Sequence, residues 1–178
     1  LRDDVPATLG LLRDRGLQVH ILSGDTVDRT HDLAHAIGVS HFKGACRPQD
    51  KYDYVQDLTR QGHRVLMVGD GLNDAPVLAS AHVSMSPASA VDITQTAADI
   101  VFTGRGLSPV VFVYDMARQS GRLVAENFTL AILYNVIAIP MAMAGWVTPL
   151  IAALAMSGSS LVVIANSFRL NLERRKSV

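Results

Sequence analysis

The sequence predicts a mostly parallel α/β domain followed by two membrane-crossing helices, and three observations carry that expectation. Short apolar strand patterns alternate with helical ones through about residue 106. Two turn-forming motifs rich in polar residues, Ser23-Gly24-Asp25 and Gly69-Asp70-Gly71-Leu72-Asn73-Asp74, directly follow two of those strands. The 42 residues from Asn127 to Phe168 contain no Asp, Glu, Lys, Arg or His, about twice the ~20 needed to cross a hydrocarbon core once.

Taken in order, Asp3 to Gly16 has the apolar spacing of a helix (Val5, Leu9, Leu11, Leu12), with Gly16 as its stop. Leu17 to Leu22 alternates like a short strand. Asp28 to Ile37 suits a helix ended by Gly38, and Pro48 to Gln61 another, with Pro48 in the first turn and Gly62 at the end. The unbroken apolar run Val65 to Val68 predicts a strand buried on both faces. A helix over Asn73 to Ala81, a strand over His82 to Met85, a helical stretch in Ser89 to Ala97 and a strand over Ile100 to Phe102 complete the domain. A long helix from about Leu107 then runs past Glu126 into the uncharged region. Trp146, Thr148 and Pro149 mark the turn between two spans, because Trp favours the membrane interface and Pro tolerates a helix start.

These features divide the chain into an α/β domain (1–106), a cytosolic linker helix (107–126), spans at 127–147 and 149–168, and a basic tail (169–178). Arg118 and Arg122 precede the first span; Arg169, Arg174, Arg175 and Lys176 follow the second. The positive-inside rule therefore predicts a cytosolic domain and a cytosolic C-terminus. Sixteen basic residues balance sixteen acidic ones, so no overall field argues for nucleic acid. Cys46 is the one cysteine, which excludes an internal disulfide and suits a buried small hydrophobe in a reducing compartment. The N-terminus lacks a signal-peptide pattern, and a start at Leu1 suggests a piece of something longer.

In an open α/β sheet, ligands bind outside the carboxyl ends of the strands, so the two motifs are expected to face one crevice. Arg47-Pro48-Gln49-Asp50-Lys51 lies between them in sequence and offers an ammonium group near a helix start. Ser23 and nearby backbone N–H groups can bind phosphoryl oxygens, Lys51 can neutralise developing charge, and Asp70 with Asp74 can hold Mg²⁺. Ser-Gly-Asp alone is a common turn, and a lone helical Lys is usually solvated. Two carboxylates packed immediately after a strand are more specific.

This order of motifs resembles the haloacid-dehalogenase superfamily, and Gly-Asp-Gly-x-Asn-Asp is similar to the form found in P-type ATPases. The resemblance covers essentially the whole chain. It implies a partial, Rossmann-like phosphorylation domain in which Ser23, Gly24 and Asp25 form the phosphoryl-contacting motif and Lys51 is the family's lysine. It further implies that Asp70 binds Mg²⁺, that Asn73 and Asp74 contact phosphate and support the site, and that ATP is the substrate. The family's phosphorylated aspartate stands in Asp-Lys-Thr-Gly-Thr, which does not occur here. Neither does Thr-Gly-Glu, so this piece alone is not expected to turn over ATP.

Within the spans, Tyr134-Asn135 precedes Pro140, and Met156-Ser157-Gly158-Ser159-Ser160 lies in the second. Met156 and Ser160, four apart, share a helix face, with Ser159 beside them. A thioether is a soft ligand that selects Cu(I), and a hard divalent ion would call for carboxylates. The pattern looks like the last two spans of copper(I)-transporting P-type ATPases, which implies that Tyr134, Asn135, Met156 and Ser160 line the path of Cu⁺. It is most similar to the bacterial subgroup serving haem-copper oxidase assembly. The implied setting is the bacterial cytoplasmic membrane. Implied partners are the N-terminal remainder of the pump, membrane lipid, and a copper chaperone or oxidase assembly factor. The rival readings are a pump for Zn²⁺ or another divalent ion, a membrane-anchored phosphatase of the same superfamily, and an inactive remnant.

Overall fold

The computed structural model describes residues 3–70, 72–90, 92–104 and 106–174. Gly71 of the second motif, and Arg175 and Lys176 of the basic tail, lie outside them. The chain forms two compact units, residues 1–112 and 113–178.

In the first unit, α1 (Val5–Asp14) has a proline in its first turn and gives way to Gly16 at φ 76°. That left-handed conformation costs a glycine least. β1 (His20–Leu22) and β2 (His41–Lys43) pair in parallel, with His20 opposite His41 and Leu22 opposite Lys43, and α2 (Val27–Ala36) crosses between them. Leu9, Ala34 and Val39 form a buried cluster against Val5, Leu12, Val19, Ile21, Ile37 and Phe42. Each large apolar side chain removed from water there contributes roughly 1.5–3 kcal/mol.

The amphipathic helix α3 (Pro48–Arg60) starts where expected: the Asp50 carboxylate accepts a hydrogen bond from the Arg47 backbone N–H at 2.8 Å. β3 (Leu66–Val68), a 3-10 turn (Leu72–Asp74), α4 (Ala75–Ser80), β4 (Val83–Pro87), α5 (Asp92–Ala97) and β5 (Ile100–Phe102) follow. β3, β4 and β5 pair in that order, all parallel. Val77 and Leu78 of α4 and Met85 of β4 are fully enclosed.

Three features depart from the sequence expectations. β2 was not anticipated, because His41-Phe42-Lys43 offers one apolar residue and no run. The strands make two sheets among the described residues, β1-β2 and β3-β4-β5, rather than one. β3 is not buried on both faces: Leu66 is 36% exposed. The last two are one fact. β1 and β3 each have a strand partner on a single side, and both line a groove of about 730 Å³. His20, Ile21 and Leu22 wall it on one sheet, and Leu66, Met67 and Val68 on the other.

α6 (Ser108–Met143) begins in the first unit and continues through Pro140 into the second. It stops at Met143, short of residue 147, and Gly145 at φ 76° turns the chain. Trp146 falls in that turn, and Thr148 accepts a hydrogen bond from the Ile151 N–H, opening α7 (Pro149–Arg174). α6 and α7 are each long and apolar enough to cross a membrane. In the second unit they are joined by Asn127, which donates to Ser167 at 3.2 Å and accepts from Asn166 at 2.9 Å.

Candidate functional site

The loop after β3 carries the most tightly constructed part of the site. Lys51, one turn into α3, donates to Asp74 Oδ1 at 2.7 Å. Both side chains are nearly enclosed, at 14% and 12% exposure. Bringing together residues 23 apart takes two local devices. Pro48 and the Asp50 cap fix where α3 begins, and so where Lys51 stands. Gly69 is buried, and a Cβ there would sit 3.0 Å from the Asp74 Cβ, so the missing side chain is what lets Asp74 close over the strand end. A pair so shielded needs its charges matched, since either one alone would be desolvated without compensation. Lys51 keeps two further N–H donors for a ligand.

Asp70 and Asn73 are exposed in the same loop. Asp70 is thus the open carboxylate, whereas one oxygen of Asp74 is taken by Lys51. An exposed carboxylate with room for waters and phosphate oxygens fits Mg²⁺, which keeps much of its hydration. Asp70 would hold that ion, with Asp74 behind it.

The first motif is organised by its own turn. Ser23 is half-buried at the end of β1, and its Oγ accepts from the Asp25 N–H at 3.1 Å, leaving the hydroxyl proton free to donate. Asp25 Oδ1 accepts from the Thr26 N–H at 2.8 Å and lies 3.7 Å from Arg29, so this carboxylate serves the start of α2. Gly24 approaches the Cys46 carbonyl, 3.5 Å from where a Cβ would be. Cys46 is buried, as its isolation in the sequence suggested. No hydrogen bond joins Ser23 to Lys51, Asp70 or Asp74 among the described residues. The two motifs meet only as neighbours of the groove that β1 and β3 share.

In the second unit the nominated side chains bond to their own helices. Asn135 Nδ2 donates to the Ala131 carbonyl at 2.9 Å, and Ser159 and Ser160 both donate to the Met156 carbonyl, at 2.9 and 3.1 Å. Met156 is 70% exposed. No hydrogen bond links Tyr134 or Asn135 to Met156 or Ser160 among the described residues.

Three polar arrangements went unnoticed in the sequence. Asn127, Asn166 and Ser167 form the interhelical contact. Two of the three asparagines in the uncharged run belong to it, and that scarcity was the available signal. His20 stacks on His41 at 4.6 Å and shares a hydrogen bond with the Tyr54 hydroxyl at 2.8 Å. Burial, then the neighbouring His41 and His63, holds the His20 imidazole below the usual histidine range. Asp4 reaches across to the start of α6, a contact that no local pattern reveals.

Comparison with known proteins places this geometry. A haloacid dehalogenase-like hydrolase model matches residues 1–82. The nitrogen fixation protein FixI of Bradyrhizobium diazoefficiens is 49% identical over all of the chain, which spans 24% of that relative. A copper-exporting P-type ATPase of Mycobacterium tuberculosis is 38% identical over 96% of the chain and 22% of its own length. A solved zinc-transporting PIB-type ATPase superposes with a TM-score of 0.90 at 30% identity, over 96% of this chain and 28% of that one. This chain is homologous to the C-terminal part of heavy-metal P-type ATPases. It spans about a quarter of the length of the curated relatives it matches. The haloacid dehalogenase-like α/β domain followed by two apolar helices is the architecture expected of it.

Proposed function

We propose that this segment belongs to an ATP-driven pump that moves Cu⁺ across a bacterial cytoplasmic membrane, with the α/β unit and the C-terminus cytosolic. The observation that carries the catalytic half is the enclosed Lys51–Asp74 pair beside the open carboxylate of Asp70.

In this reading an aspartate outside the chain takes the γ-phosphoryl group of ATP, releasing ADP, and water later hydrolyses the acyl phosphate. Lys51 directs its remaining N–H donors at the phosphoryl oxygens, held in position by Asp74. The Ser23 hydroxyl and the backbone N–H groups of its turn bind a second oxygen, and Asn73 a third. Asp70 would hold Mg²⁺, which would supply neutralising charge for the transferred group. The groove between β1 and β3 supports the origin of the missing aspartate. A strand running parallel to both and seated there would end beside Ser23 and Gly69, delivering the residue after it to Lys51.

Copper is favoured over zinc by donor chemistry. The apolar run offers Met156 with hydroxyl and amide groups and no carboxylate or imidazole. The zinc-transporting structural neighbour keeps the divalent reading as the alternative. A copper chaperone or oxidase assembly factor would be the partner of the copper pump.

The test uses the full-length protein that carries this segment. Asp70→Asn should cut metal-stimulated ATP hydrolysis by about 10²–10³-fold, the usual scale for losing one preorganised charge-stabilising group; normal turnover would sink the assignment. Stimulation by Cu⁺ and not Zn²⁺, weakened by Met156→Leu, would support the copper reading, and the reverse would replace it with zinc.

A further inference from the structure

Asp4 precedes α1 and occupies its N-cap, yet its side chain makes no hydrogen bond to that helix. An aspartate in this place ordinarily caps its own helix. Only its backbone does so, the Asp4 carbonyl accepting from the Thr8 N–H at 2.9 Å. The carboxylate instead crosses 103 residues of sequence: Oδ2 accepts from the Leu107 N–H at 2.7 Å and the Ser108 N–H at 3.1 Å. These groups open α6, whose first turn has no acidic residue of its own. A negative charge there complements the positive end of the helix. Gly106 accommodates the arrangement. It is buried with φ 128°, and a Cβ at that position would run into the Asp4 carboxyl group. Leu107 and Val110, from the start of α6, line the same groove as Val5, Leu9 and Leu12 of α1, so apolar packing accompanies the polar tie.

We propose that Asp4 is a positioning residue that fastens the first turn of α6 to α1, so that motion of the phosphorylated domain is passed into the helix bearing Tyr134 and Asn135. This rests on the pump reading above. The carboxylate touches no reacting atom in this scheme. It keeps the first turn of α6 from swivelling at Gly106, whose φ is positive.

The experiment uses the full-length protein in detergent, with two readouts: amide hydrogen exchange at Leu107 and Ser108, and the level of phosphoenzyme formed from ATP beside metal-stimulated turnover. Asp4→Ala should speed exchange at both amides roughly five- to tenfold, the scale of a lost N-cap. It should leave phosphoenzyme formation intact while turnover falls by roughly tenfold. Asp4→Asn keeps the shape and an acceptor oxygen, so it should fold and recover most of the protection and turnover. Unchanged exchange in Asp4→Ala, faster exchange with unchanged turnover, equal losses of phosphoenzyme and turnover, or an Asn variant as slow as Ala would each overturn the proposal. A wild type that forms no phosphoenzyme sinks the pump reading and the role of Asp4 with it. A working wild type with an indifferent Asp4→Ala sinks the role alone.

Discussion

Two groups of polar side chains, one in each unit, are satisfied in opposite ways. Around β3, Lys51 and Asp74 find each other across 23 residues and are almost closed off from solvent. In the apolar hairpin, Asn135, Ser159 and Ser160 turn back onto carbonyls of their own helices. A buried ion pair must be satisfied by its own fold, because a lone charge there is too costly to keep. A hydroxyl or amide in an apolar helix can always fall back on a carbonyl three or four residues away, and releases it when a better partner arrives. One region therefore builds its contact from two distant residues, and the other satisfies its polar groups within each helix.

The largest test of that contrast is Lys51→Met. It strands the Asp74 carboxylate and should cost about 2–4 kcal/mol, read as a fall in thermal or urea stability of the first unit. Lys51→Met with Asp74→Leu should lose less than the single change, because no unpaired charge remains. A single variant as stable as wild type would break the contrast. In the hairpin, Asn127→Ala removes the link to Ser167 and Asn166 and should weaken helix association by only about 1 kcal/mol, measured by reversible unfolding in detergent. A loss as large as that of Lys51→Met would show that the hairpin, too, depends on a built polar contact.

The smallest effect is one of pH. His20 resists protonation in the folded state, where burial, His41 and His63 act on it, the Tyr54 hydroxyl shares its hydrogen bond and Arg64 lines the same groove. The unfolded chain then binds more protons below the ordinary histidine value of 6.5, so stability is intact above that pH and declines as pH falls through it. His20→Gln should flatten the decline between pH 7.5 and 5.5 in a thermal melt; an unchanged slope would assign it to other groups.

What could be read in advance follows the range of the interactions concerned. Gly16, Gly38 and Gly62 end helices through local backbone conformation, so their effect is visible in a short window. The loop after β3 was legible for the same reason, with its glycine and both carboxylates within a few residues. β2 was not, because His41 and Lys43 face outward and its existence depends on pairing with β1. The sheet divided where the sequence predicted continuity because Val65 to Val68 has the composition of an interior strand, while this segment supplies a neighbour on one side only. Asp4 was hidden most completely. Its sequence context is that of an ordinary helix cap, and its actual partners lie at Leu107 and Ser108.

The groove between β1 and β3 also bears on how such a chain is made. Among the described residues each strand has a strand partner on one side only, and both line one largely apolar groove. Native sheets usually hide or charge such edges, because they serve as templates for any extended polypeptide that reaches them. In the pump reading proposed above, a tethered strand at high effective concentration would compete there with the corresponding strands of other copies. Covalent continuity would then act as a chaperone: cut from its neighbours, the segment would keep its charges correctly paired and yet be prone to pair its backbone with the wrong molecule.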